Sequence, residues 1–291
     1  RFNGNNKTIS NLTVNKPYET YQGLFGYLGG TAVIQDLTLI DCHITGNHST
    51  GGIVGRAEGT SADASIQISN CHLENGAFAI TRPDVNSIGG IAGYAQNTQI
   101  TNCTVTGEIS TISADVGGIV GMAYGNVIVT SCENAANINA TKYCGGIVGF
   151  EYYSSNRFTN CFNTGVIEGG SYLGGIVGDY YNDNDYSNCY YAYPCTTGAL
   201  EGYDSDGKGA RAYLIKAGDH IASINIADEA TVTSKISGTK YYKKGDWTLT
   251  LGLEANYTFL KYTCEGGTMT DLETADGTHT LTINKNDVTI S

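Results

Sequence analysis

Proline is nearly missing from this 291-residue chain, with three in all, and charged residues make up only 15% of it. No apolar run approaches the ~18 residues that a membrane-spanning helix needs. Lys and Arg are few and nowhere clustered: sixteen of them against twenty-eight Asp and Glu leave a formal charge of −12 and a pI near 4.7. Such a balance disfavours nucleic acid or an anionic membrane as partner. A helical 3.6-residue period is also lacking, which argues against helix-containing solenoids. Catalytic signatures are wanting too: no G-x-S-x-G, no phosphate loop and no dinucleotide fingerprint can be found. The five histidines, His43, His48, His72, His220 and His279, never take the H-E-x-x-H spacing of a zinc peptidase.

What is abundant is glycine, at 39 residues, and tyrosine, at 21. Ile, Val, Leu and Tyr recur throughout, so the chain is not of disordered composition. Few prolines with many Gly, Asn, Ser and Thr suit short strands joined by tight turns. The segment from Arg1 begins inside a patterned stretch, so the natural chain is expected to start earlier, and the lack of a signal peptide is uninformative.

A repeat organises the first two thirds. The tetrapeptide Gly-apolar-apolar-Gly occurs at Gly23–Gly26, Gly52–Gly55, Gly90–Gly93, Gly118–Gly121, Gly146–Gly149 and Gly175–Gly178, at intervals of 29, 38, 28, 28 and 29. A small polar residue followed by Cys keeps the same rhythm at Cys42, Cys71, Cys103, Cys132, Cys161 and Cys189. Aligned on that Cys, an apolar column precedes it: Leu39, Ile68, Ile100, Val129, Phe158 and Tyr186. A second column follows it: Ile44, Leu73, Val105, Asn134, Asn163 and Tyr191. The change of parity between these columns predicts a bend at the Asn, Asp or Ser beside each Cys, residues that tolerate left-handed backbone.

Each repeat therefore reads as three short strands, and stacked repeats make an all-β, right-handed parallel β-helix of about seven coils over residues 1–197. The six thiols are expected as a buried, reduced ladder. Disulfides between rungs are the alternative, disfavoured because in-register Cβ vectors point the same way; a zinc site is disfavoured by the lack of a CxxC or paired His. Residues 198–212 read as a linker or cap. Residues 213–291, Thr-rich and alternating, read as a small antiparallel β domain with strands at Ile221–Ile226, Ala230–Ile236, Trp247–Leu253, Tyr257–Cys264, Thr278–Ile283 and Val288–Ile290.

The Gly-Gly-Ile-Val-Gly units with their downstream Asn-Cys, as in Asn160-Cys161-Phe162-Asn163-Thr164-Gly165, resemble the GLUG-motif repeats of bacterial surface proteins. The leading Phe2–Val14 is similar to the coil that precedes the first such motif. This resemblance covers about residues 1–195. It implies an exported, adhesin-like protein at a bacterial cell surface. The same repeats accompany immunoglobulin-A-cleaving metallopeptidases, whose zinc motif this sequence lacks. Tyr241–Ser291 loosely resembles small β modules attached to such surface proteins.

The functional expectation is a non-catalytic adhesion or display module that binds a host or matrix glycan or protein, as a monomer and without cofactor or resident metal. Alternatives are a carbohydrate-active β-helix enzyme, a polysaccharide lyase or hydrolase built on loop acids such as Asp179, Asp183, Asp185 and Glu151, or a passive spacer of a larger surface protein. Eleven tyrosines fall between Tyr143 and Tyr203. Among them Tyr152, Tyr153, Tyr180 and Tyr181 follow the Gly-apolar-apolar-Gly strand in consecutive coils and are expected to form an exposed strip beside Asp179 and Asp183, offering rigid rings with hydroxyl handles. Asp179–Asp185 and Asp204–Gly207 carry the oxygen ligands of calcium without completing an EF-hand loop, and solvated turns are the plainer reading.

Overall fold

A computed structural model describes residues 1–80, 82, 86–153, 155–180 and 189–192, and beyond them the backbone of nine strands between 203 and 290. Two compact units are distinguished, Arg1–Leu214 and Ile215–Ser291. No helix occurs among the described residues.

The first unit is a parallel β-solenoid. One sheet stacks the strands that follow each Gly-apolar-apolar-Gly turn: Phe25–Gly30, Val54–Gly59, Ala92–Gln96, Val120–Tyr124, Val148–Tyr152 and Val177–Tyr180, with Tyr203–Asp204 beyond them. The other strands form a second, bent sheet in which the described pairings are again parallel, with register shifts only between Asn3 and Lys7 and between Val105 and Gly107. Among the described residues about six turns can be followed, slightly fewer than the seven expected, the leading strand Phe2–Ser10 and the first glycine turn belonging to one coil.

The interior consists of ladders, one residue per coil. Val14, Ile44, Phe78, Ile109, Ile138 and Ile167 form one, and Phe2, Ile34, Ile68, Ile100, Val129 and Phe158 form another. No coil buries these side chains by itself, so stability comes from stacking. The bends lie beside the cysteines: Asn70, Asn102, Ser131 and Asn160 all have φ between 50° and 55°. The corner amides cross-link coils, Asn102 Nδ2 donating to Asn70 Oδ1 at 3.3 Å and Asn70 Nδ2 to Asp36 Oδ1 at 2.9 Å.

The thiol ladder needs one correction. Cys71, Cys103, Cys132, Cys161 and Cys189 stack as expected, buried and free. Cys42 is also buried and free, but it stands outside the row, and Leu37 takes its place in register with Cys71. The apolar columns shift in step, so Leu39 pairs with Leu73 and Ile44 with Phe78. The reason is that the second coil has two left-handed corners, Asp36 (φ 57°) and Asp41 (φ 54°), and only the first matches the Asn70 corner. Asp41-Cys42 belongs with Asn75-Gly76, whose amide donates to Asp41 at 2.6 Å. Thiols suit the row because each corner turns a carbonyl inward. Cys71, Cys103, Cys132 and Cys161 reach the carbonyl two residues back at 3.4 Å. A small, weakly polar donor satisfies that oxygen at little desolvation cost.

In the second unit, His220–Ile224 pairs antiparallel with Gly238–Tyr242, and Gly245–Leu251 pairs antiparallel with Gly277–Ile283. One pairing departs from the antiparallel expectation: Val288–Ile290 runs parallel to His220–Ile224. The expected strand Ala230–Ile236, most of Tyr257–Cys264 and most of the 198–212 linker lie outside the described residues.

Candidate binding face

Alternation along the strands of the seven-stranded sheet decides which side chains leave the interior. The residue after each second glycine points out, giving the column Tyr27, Arg56, Tyr94, Met122, Phe150 and Asp179. The next residue points in: Leu28, Ala57, Ala95, Ala123, Glu151 and Tyr180. The one after points out again, and Glu58, Gln96, Tyr124 and Tyr152 stand in that column. A third outer column comes from the residue just before the interior position that leads into each glycine turn: Tyr21, Ser49, Ser87, Asp115, Tyr143 and Tyr172.

Together these columns make a continuous aromatic band. Tyr94 stacks on Tyr124 at 5.8 Å between ring centroids, and Tyr124 on Tyr152 at 5.3 Å with the planes 1° apart. Tyr153 stands perpendicular to both, 4.9 Å from Tyr124 and 4.8 Å from Tyr152, with its hydroxyl 3.3 Å from that of Tyr124. Phe150 links Tyr152 to Tyr143, which packs on Tyr172 at 4.9 Å. The parallel stack of Tyr124 on Tyr152 covers one face of each ring. Tyr27, 52% exposed, and Tyr153, 49% exposed, are the parts of the band most open to a ligand.

Backbone conformation sets the band apart. Among the described residues, fifteen of the nineteen non-glycine residues with positive φ are Asn, Asp or Ser, and the other four are Tyr21, Tyr143, Tyr153 and Tyr172. A bulky residue in the left-handed region costs roughly 1–2 kcal/mol. Every such tyrosine lies in this band, where ring contacts offset that cost.

Two cations are held against the rings. Arg56 lies 4.1 Å from the Tyr94 centroid and 5.5 Å from that of Tyr21, and it pairs with Glu58, which also accepts from the Tyr27 hydroxyl at 2.9 Å. These two donors hold the Glu58 carboxyl below its usual range, the Arg56 hydrogen bond foremost. Lys142 lies 4.1 Å from the Tyr143 centroid and 5.1 Å from that of Tyr172. Near Lys142 stands Asp115, 7% exposed, whose carboxyl is pushed up to about 7, first by burial and further by Asp179, against the pull of Lys142.

Of the residues expected in the strip, Tyr152 and Tyr153 are in the band. Asp179 faces outward but is largely covered, and its Oδ1 accepts from the Tyr180 backbone N–H at 2.8 Å. Tyr180 does not join: it lies one residue further along the strand, points into the interior and is 3% exposed. Glu151, weighed as a catalytic acid, is interior for the same reason of parity. Tyr181, Asp183, Asp185 and Tyr186 lie outside the described residues, as does most of each expected calcium loop; Tyr191 packs inside. Among the described residues no group of three or more His, Cys, Asp or Glu is placed to hold a metal ion. Tyr21, Tyr94, Tyr124, Phe150, Tyr143, Tyr172 and both cations were not singled out from sequence. Their fixed offsets from the glycine turn are the signal that finds them.

Residues 84–110 match the GLUG motif. Halomucin of Haloquadratum walsbyi (strain DSM 16790 / HBSQ001) is 33% identical over 147 residues, which are 41% of this chain and 2% of halomucin. The chain thus spans a small fraction of that relative's length. The crystal structure of a candidate immunoglobulin A1 protease from Bacteroides ovatus superposes with a TM-score of 0.57 at 19% identity, over 75% of this chain and 68% of the other. That likeness shows the fold. The GLUG glycines have steric reasons at this face. A Cβ on Gly121 would stand 2.3 Å from the Ile88 nitrogen and 2.5 Å from the Ser87 carbonyl carbon, and Gly55, Gly93, Gly149 and Gly178 meet the equivalent peptide one coil earlier. The second glycine of each GLUG turn therefore lets the left-handed outer column pack directly on the sheet.

Proposed function

We propose that this chain is a non-catalytic adhesion or display module of an extracellular surface protein, and that it engages a protein or glycan ligand through the outer aromatic band. The single observation that carries this reading is the band itself. Tyr143 and Tyr172 are placed in register on successive coils at the cost of left-handed backbone, where a structural solenoid needs only short polar residues. Rigid rings with hydroxyl tips are what protein and glycan recognition sites use. The likeness to halomucin agrees with a place at the cell surface. The aromatic face, unlike a plain spacer, gives the module something to bind with.

The test is an array of host and matrix proteins and glycans probed with the purified chain, repeated with Tyr124, Tyr152 and Tyr153 all replaced by Ser. Loss of the parent's hits in a variant that keeps its β-sheet circular dichroism supports the reading. Equal binding by both removes the band from it.

A further inference from the structure

The two most open rings of the band differ in their surroundings. Tyr153 stands against two other tyrosines, whereas Tyr27 has one aromatic neighbour, Tyr21, at 6.2 Å and tilted by 46°. No ring stacks parallel on Tyr27 among the described residues. The outer column that Tyr124 and Tyr152 fill in later coils is held in the first coil by Gly29, in register with Glu58. A Cβ on Gly29 would stand 3.1 Å from the Tyr27 ring, so the glycine makes room for that ring. A Cβ on Gly30, the next residue, would meet nothing within 4 Å. The first coil therefore presents a ring that is 52% exposed, with clear space beside it.

Next to this ring is a charge pair fixed from several sides. Arg56 rests on the Tyr94 and Tyr21 rings and donates from Nη2 to Glu58 Oε1, while the Tyr27 hydroxyl donates to Glu58 Oε2 at 2.9 Å. Arg56 Nε and Nη1 make no hydrogen bond among the described residues. Each Glu58 oxygen, with one donor, has a lone pair for another. Both side chains keep about a quarter of their surface open, 26% for Arg56 and 27% for Glu58. Donors and acceptors thus stand side by side in fixed positions, without net charge.

A pyranose ring matches this set. Its C–H face is drawn to the negative face of an aromatic ring. Two neighbouring hydroxyls can accept from a guanidinium and donate to a carboxylate. Charged ligands match it less well. Arg56 already neutralises Glu58, so a basic side chain finds no free carboxylate, and the chain's net charge of −12 repels acidic sugars. Resting on the proposed ligand-binding role of the band, we propose that Tyr27, Arg56 and Glu58 form a subsite for a neutral sugar ring. Tyr27 is the platform, and the charge pair fixes two vicinal hydroxyls. A few placed polar groups around an apolar surface set a small ligand's orientation in this way.

The full chain on an array of neutral galactose, glucose and mannose oligosaccharides, printed beside their sialylated and sulfated versions and beside matrix proteins, tests this. Neutral sugars should be retained, and the charged versions should bind no better. The best-retained neutral oligosaccharide is then titrated by calorimetry into variants that keep the parent's β-sheet circular dichroism. Tyr27→Ala should weaken binding about fivefold or more, and Glu58→Gln about tenfold. Tyr27→Phe, which keeps the ring, should stay within about threefold of the parent. Tyr18→Ala removes a ring that is 78% exposed but makes no contact with Arg56 or Glu58 among the described residues, and should change binding less than about twofold. Equal losses in Tyr27→Ala and Tyr18→Ala, or in Tyr27→Ala and Tyr27→Phe, would overturn the inference, as would tighter binding of the sialylated or sulfated sugars. Retention of matrix proteins alone, lost on replacing Tyr124, Tyr152 and Tyr153 but not Tyr27, would leave the adhesion reading standing while this one falls.

Discussion

The rings of Tyr124 and Tyr152 lie 5.3 Å apart with 1° between their planes, and Tyr153 closes over both at right angles. Tyr124 also stacks on Tyr94, so three rings pack against it. Aromatic pairs contribute roughly 0.5–1.5 kcal/mol each beyond burial. Tyr124→Ala should therefore lower the unfolding free energy of the solenoid by about 2 kcal/mol in urea titrations, and Tyr153→Ala by less. An inert Tyr124→Ala would show that the stack adds nothing to the fold.

Gly121→Ala should be among the most damaging single methyl additions. The added carbon would meet backbone of the preceding coil at 2.3–2.5 Å, and backbone there cannot swing aside. Overpacking of this kind costs about 1–3 kcal/mol. Gly30→Ala is the contrast: nothing lies within 4 Å of its Cβ position, leaving only the strain of φ 72°. Thermal unfolding of the two variants should rank Gly121→Ala well below Gly30→Ala.

The seven described cysteines should resist thiol reagents in the native state and react only on denaturation. Burial raises Cys103 and Cys71 far above the ordinary thiol range, with thiol–thiol hydrogen bonding adding to it and leading for Cys71, and it pushes Cys144 up to about 12. Raised pKa values mean that the folded state holds protons the unfolded state releases. The stability they provide is full below about pH 9 and is lost as pH climbs toward 12. Rapid modification at pH 8 without unfolding would contradict the packing described for the ladder.

Asp115 makes the opposite region of the pH scale informative. Its carboxyl ionises near 7 when folded and near 3.8 when unfolded, so the folded state binds the extra proton between those values. Stability from this group is complete below about pH 4 and is lost as pH rises through 7. Asp115→Asn should consequently raise the melting temperature at pH 8, by on the order of 1–3 kcal/mol of stability, and leave it unchanged at pH 3.5. A lower melting temperature at pH 8 would mean that the carboxylate is stabilising.

The coil pattern was legible because its markers are steric identities. No side chain larger than hydrogen fits at Gly93, Gly121 or Gly149, so the motif is written plainly along the chain. Register in the second coil was not legible from Asp41-Cys42, because a left-handed corner accepts any short polar residue, and Asp36 and Asp41 both qualify. With Leu37 filling the thiol position, nothing in the dipeptide itself told the two corners apart. The aromatic band was half legible. Adjacent tyrosines drew attention to Tyr152 and Tyr153, yet adjacency is also why Tyr180 misled, since neighbours on a strand face opposite ways. Residues far apart in sequence, such as Tyr21 and Arg56, meet only through stacking.

The in-register ladders have a mechanical side. Hydrogen bonds between coils, such as Ile91 N to Ile119 O at 3.0 Å and Ile119 N to Ile147 O at 3.0 Å, point along the stacking direction. A pull along that direction loads them in series, one coil's set at a time, like opening a zip. With glycine turns 28 or 29 residues apart over most of the solenoid, each rupture pays out roughly 90–100 Å of extended chain. A tether built this way yields by graded lengthening, with force peaks at regular steps, and its remaining coils stay folded while the first ones give way.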